Sequence, residues 1–114
     1  MMAKNVAVVI QEDPRKTHRP VEALRIALGL VSGSHKTTVV LLGEAVRLLS
    51  EERDDIVDVD ILETYLPSIE DLEVPFILPS TTRRSTVREG FRTRYETDET
   101  ISSFLQSIDR TLVF

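Results

Sequence analysis

The polar run Gln11-Glu12-Asp13-Pro14-Arg15-Lys16-Thr17-His18-Arg19 holds two carboxylates and an imidazole, the side-chain types of a metal site or an acid–base pair. A single mixed-charge loop is more commonly just solvated, so Glu12, Asp13 and His18 rank last among the candidates. Ser80 is the best-placed hydroxyl for nucleophilic work, yet no base stands near it in sequence. Ser80, Arg83 and Arg84 together suit a small anion better, because guanidinium forks match oxyanions geometrically. Arg88, Arg92 and Arg94 extend that basic stretch, so that five arginines face only Glu89 over twelve residues, a local charge of +4. Glu51 to Glu73 is its opposite, with ten carboxylates and one arginine, or −9. Charge separated in this way steers the docking of unlike faces, and Arg88, Arg92 and Arg94 are the interaction residues it suggests.

What is missing narrows the chemistry further. The 114 residues contain no cysteine and only two histidines, His18 and His35. That removes disulfides, thiolate ligands, iron–sulfur clusters and any cysteine nucleophile or persulfide, and leaves too few ligands for a closed zinc site. The loop after the first strand-like run has no glycine, so it offers no backbone cradle for phosphate, and dinucleotide or P-loop chemistry is excluded. A phospho-acceptor receiver would need an aspartate where this chain has Pro79-Ser80. No cofactor and no metal are expected. With 19 acidic against 14 basic residues, net −5, the chain lacks the basic surface of a nucleic-acid or anionic-membrane binder. The apolar runs Val6 to Ile10 and Val39 to Leu42 are far shorter than the roughly 20 residues of a membrane span, and no secretory leader is legible. A cytoplasmic protein is the expectation.

These side chains need a scaffold, and the hydrophobic pattern supplies one. Val6-Ala7-Val8-Val9-Ile10 is a β-branched run of the kind buried on both faces of a parallel sheet. Pro20 suits the first turn of a helix in which Val21, Leu24, Leu28 and Val31 recur at helical spacing, with Gly33 close behind to end it. Thr37 to Leu42 reads as a second buried strand closed by Gly43, about two dozen residues on, which fits a right-handed parallel crossover. A short helix over Glu44 to Leu49 and a weakly ordered acidic segment to Asp60 should follow. Leu62, Leu66, Ile69 and Leu72 then mark a helix that Pro67 must kink or restart. Val74 to Leu78 predicts a third strand, Phe91 to Tyr95 a fourth, and Thr111 to Phe114 an edge strand. Thr97 or Asp98 would cap the last helix, which buries Ile101, Phe104, Leu105 and Ile108. The alternation predicts a single domain over residues 1–114: a three-layer α/β/α sandwich around a mostly parallel sheet of about five strands.

Order and spacing resemble a known family. The opening strand, the helix Val21 to Leu30, the run Val39-Val40-Leu41-Leu42-Gly43-Glu44-Ala45-Val46-Arg47-Leu48-Leu49 and the ending Ser107-Ile108-Asp109-Arg110-Thr111-Leu112-Val113-Phe114 are similar to the DsrE/DsrF-like proteins of bacterial sulfur relay. The resemblance implies a flavodoxin-like layered sandwich with a five-stranded parallel sheet, found in homo- or hetero-oligomers with other DsrE/DsrF-like subunits. It also implies a reactive cysteine just after the third strand in the sulfur-carrying members. Pro79 or Ser80 stands there in this chain, so the carrier activity does not transfer. The implied function is a non-catalytic subunit that acts through assembly. A small-anion or small-ligand domain using the strand-end loops is the alternative.

Overall fold

A computed structural model describes residues 4–114. The chain runs β1 (Asn5–Ile10), α1 (Arg19–Ser32), β2 (Lys36–Leu41), a 3-10 helix (Gly43–Leu49), α2 (Val59–Asp71), β3 (Phe76–Pro79), a 3-10 turn (Arg84–Thr86), β4 (Thr93–Glu96), α3 (Asp98–Ser107) and β5 (Arg110–Val113). The five strands form one sheet in the order β4-β3-β2-β1-β5, and every pairing is parallel. The expected α/β sandwich is therefore the one present.

Alternation along the strands sorts the core into two unequal halves. Val8, Ile10, Val39, Leu41, Phe76 and Leu78 point to the face covered by α1, α2 and the Gly43–Leu49 helix. Val9, Val40 and Ile77 point the other way, where among the described residues Ile101, Phe104 and Leu105 of α3 supply the helical cover. Both faces of the central strands are buried, which is why β1 and β2 read as unbroken apolar runs. The single helix α3 carries the chain across its whole face, from β4 at one edge to β5 at the other. Thr97 caps it, its hydroxyl oxygen accepting from the Thr100 N–H at 3.2 Å.

Helix ends depart from the simplest reading. In α1, Gly33 has an ordinary φ of −82°, and Ser34 takes the left-handed position instead, at φ 67°. The bonds from Ser34 N to Val31 O and from His35 N to Leu30 O complete a Schellman turn around that serine. Helix α2 closes in the same way around Glu73, at φ 51°, with Val74 N donating to Ile69 O. This puts Leu72 at the cap, 52% exposed, and not on the buried stripe with Leu62, Leu66 and Ile69. Helix α2 also continues through Pro67 without restarting. That proline is exposed, so water is free to solvate the Glu63 carbonyl it leaves without a partner.

The acidic segment after Ser50 has no regular structure, but it is anchored. Ile56 is buried, and so is Arg53, whose guanidinium donates to Glu63 of α2 and to the Ser50 carbonyl. None of the helices described is long and apolar enough to cross a membrane.

Candidate functional site

In an open parallel sheet, the loops that leave the carboxyl ends of the strands form the natural binding edge. Three loops meet there: Gln11 to His18 after β1, Leu42 to Asp58 after β2, and Ser80 to Arg92 after β3. The first is fastened to the end of the parallel β1–β5 pair, with Gln11 N donating to Phe114 O at 2.7 Å. Pro14 is buried beneath it, and its carbonyl accepts from Val57 N at 2.9 Å, tying the first loop to the second.

The structure separates Glu12, Asp13 and His18. Glu12 pairs with Arg19 at 2.8 Å, and the Arg19 guanidinium also lies 5.9 Å from the centroid of the Phe114 ring. Asp13 accepts from the Arg15 backbone N–H at 2.9 Å and from its guanidinium at 2.8 and 3.0 Å. His18 stands exposed at the start of α1. Among the described residues no three His, Asp or Glu side chains are grouped as metal ligands.

Arg15 holds the Asp13 carboxyl down to about 2 from its ordinary 3.8, first through the side-chain hydrogen bonds and then through the backbone one. A depressed folded-state value means the turn is favoured above the ordinary carboxyl range and loses that support as the pH falls toward 2. An NMR titration of the Asp13 carboxyl carbon should show this low midpoint, and Arg15→Ala should return it toward 3.8. A midpoint near 3.8 in the unmodified chain would mean that the turn does not form in solution.

The second loop shapes a cleft of about 620 Å³. Glu44, Glu52, Asp54 and Asp55 line it, opposed by Arg47 alone among charged side chains, with Thr86 contributed by the third loop. Gly43 opens the cleft at φ 56°, a left-handed turn that lets the chain leave β2 at once for the 3-10 helix. Arg47 is turned onto Glu44, and Arg15 approaches the same carboxylate at 3.5 Å. The field inside therefore favours cations and repels anions. Sequence spacing does not mark these four carboxylates as one group, since Glu44 stands apart from Glu52, Asp54 and Asp55. The available signal was a glycine at a strand end followed closely by an acidic run.

Ser80, Arg83 and Arg84 do not line this cleft. Ser80 is exposed in the turn after β3, its backbone N–H donating to Glu96 O at 2.8 Å. Arg83 is exposed, and its carbonyl accepts from both the N–H and the hydroxyl of Thr86. Arg84 stacks on Tyr95, its guanidinium carbon 4.3 Å from the ring centroid. The other arginines diverge. Arg88 reaches toward Glu63 of α2 at 4.0 Å. Arg94 lies against Phe104 of α3, on the opposite face of the sheet, and Arg92 is exposed beside it in sequence. The basic stretch is thus divided between the two sides of the sheet. It is also sewn to the start of the acidic stretch by backbone bonds, Arg88 N to Leu49 O at 2.8 Å and Glu51 N to Thr86 O at 3.2 Å.

No protein-family model matches the chain, and no curated protein matches its sequence. Solved structures do match its fold. The crystal structure of the ychN protein from E. coli superposes with a TM-score of 0.75 at 17% identity, covering 97% of this chain and 99% of that one. The likeness therefore runs end to end.

Proposed function

We propose that the chain is a DsrE/DsrF-like subunit that works by assembling with copies of itself or with related subunits, in the cytoplasm, without thiol chemistry of its own. The observation that carries this reading is the pairing of a complete ychN-type fold with the absence of any cysteine. The β3 exit, where the resemblance implies a sulfur-carrying thiol, is filled by Pro79 and the exposed Ser80. A serine hydroxyl at neutral pH is neither a soft nucleophile nor a persulfide carrier. What such a subunit can contribute to sulfur relay is surface, shape and charge. The alternative of a small anion on Ser80, Arg83 and Arg84 has less support, since the concave part of the same edge is lined by carboxylates.

Light scattering coupled to size-exclusion chromatography tests the assembly reading. The expected result is a mass that is a multiple of 12.9 kDa, or a stable complex with a cysteine-bearing DsrE/DsrF-like subunit mixed in. A single-chain mass at every concentration, together with no such complex, would overturn it.

A further inference from the structure

We propose that the outer edge of β5 is a self-association surface, on which two copies of this chain pair their β5 strands antiparallel about a two-fold axis passing through Leu112. The inference rests on the assembly reading and names both the surface and the partner, a second copy.

The backbone sets the register. Phe114 is turned toward β1, its N–H donating to Val9 O at 2.8 Å and its carbonyl accepting from Gln11 N at 2.7 Å. Backbone groups alternate sides along a strand, so Leu112 also faces β1, while Thr111 and Val113 present their N–H and C=O groups outward. Strand β5 ends the sheet order, and no described strand meets that side. A two-fold axis at Leu112 sets Thr111 of each copy opposite Val113 of the other. Both outward donors and both outward acceptors of each strand are then used. An axis at Thr111 would instead set Val113 opposite Asp109, whose N–H is already given to Asn5 O at 3.2 Å.

The side chains agree with that register. Leu112 and Val113 are 38% and 52% exposed, and neither has a helix lying over it as the inner strands do. Pairing would set Leu112 against Leu112 of the second copy on the α1 face, and Val113 against Thr111 on the α3 face. Arg110 is exposed and has no ion-pair partner among the described residues. It would come opposite Phe114 of the second copy, beside Glu12, whose N–H donates to the Phe114 carbonyl at 3.4 Å. Arg19 of that copy already pairs with Glu12 and lies over the Phe114 ring, so the backbone register, and not this corner, carries the pairing. Edges meant to stay single usually carry lysine, proline or a bulge, whereas the outward residues here are threonine and valine.

Single-cysteine variants give a clean test, because the chain has no cysteine of its own. Directly opposed residues in a non-hydrogen-bonded antiparallel pair lie about 4.5 Å apart at Cα, within the range a disulfide spans. Under mild oxidation, Leu112→Cys should form a covalent dimer at least about tenfold faster than Leu72→Cys, a more exposed site at the C-cap of α2 that serves as the collision control. Adding Val113→Pro removes an outward N–H while leaving the bonds from β5 to β1 in place. It should abolish the fast cross-link with the far-UV circular dichroism unchanged. Equal rates for Leu112→Cys and Leu72→Cys, or a fast cross-link that survives Val113→Pro, would overturn the proposal. An unmodified chain that is oligomeric by light scattering while Leu112→Cys stays uncross-linked would sink the β5 edge and leave assembly standing. A single-chain mass with no cross-link would sink the β5 edge, and with it the assembly reading if no complex with a cysteine-bearing DsrE/DsrF-like subunit forms either.

Discussion

Phe76→Ala should remove about 3–5 kcal/mol of folding free energy, enough in a domain of this size to lower the thermal midpoint by roughly 10–20 °C. Phe76 is 1% exposed and opens β3 between its register partners Val39 of β2 and Thr93 of β4. Its ring meets the edge of Phe91 at 6.2 Å with the planes at 79°, a T-shaped contact that alanine cannot replace. The cavity would open where β3, β4 and the underside of α2 converge, with strands on both sides limiting collapse. Phe76→Leu keeps most of the volume and should cost about 1–1.5 kcal/mol. Urea unfolding followed by circular dichroism measures both. A Phe76→Ala loss below about 1 kcal/mol would mean that β3 does not sit in the centre of the core.

Gly90→Ala should be the second large loss, for two separable reasons. Gly90 adopts φ 104°, outside the range that L side chains tolerate, which costs on the order of 1–3 kcal/mol. An added Cβ would also clash with Oε2 of Glu70 and sit 3.1 Å from its Cδ. Glu70 is an exposed side chain on α2, so it can swing aside, and the steric part is the cheaper one. The same substitution made in a Glu70→Ala background tells the two apart. The backbone cost of at least about 1 kcal/mol should persist there, and its disappearance would show that the turn before β4 is not built as described.

The parts of the fold that were legible in the sequence are those where burial is complete. Val6 to Ile10 and Val39 to Leu41 are apolar because both faces of β1 and β2 are covered, so composition alone marks them. The helix ends were not legible, because Ser34 and Glu73 hold left-handed positions where glycine is the ordinary signal. Their turns are enforced by the tertiary anchors that follow, such as Val74 packed into the same core as Ile69. Charge runs were legible as runs but not as surfaces. Arg53, the one base in the acidic stretch, is drawn inside onto Glu63, and Arg84 and Arg94 face opposite sides of one sheet. The cleft is not legible in the sequence because its carboxylates gather only when the chain turns at Gly43 and brings the Glu52 to Asp55 segment beside the 3-10 helix.

The placement of β5 beside β1 has a consequence for the order in which the molecule is made. Asn5 donates its backbone N–H to Asp109, 104 positions later, so one flank of β1 stays bare until the β5 end of the fold has been synthesised. Closing so long a loop carries an entropic cost that the nearer β1–β2 pairing does not. Strands β1 to β4, with α1 and α2, can therefore zip in sequence during translation. The α3–β5 unit then arrives as a final clasp, and chaperone capture of the nascent chain should centre on the flank of β1 that waits for it.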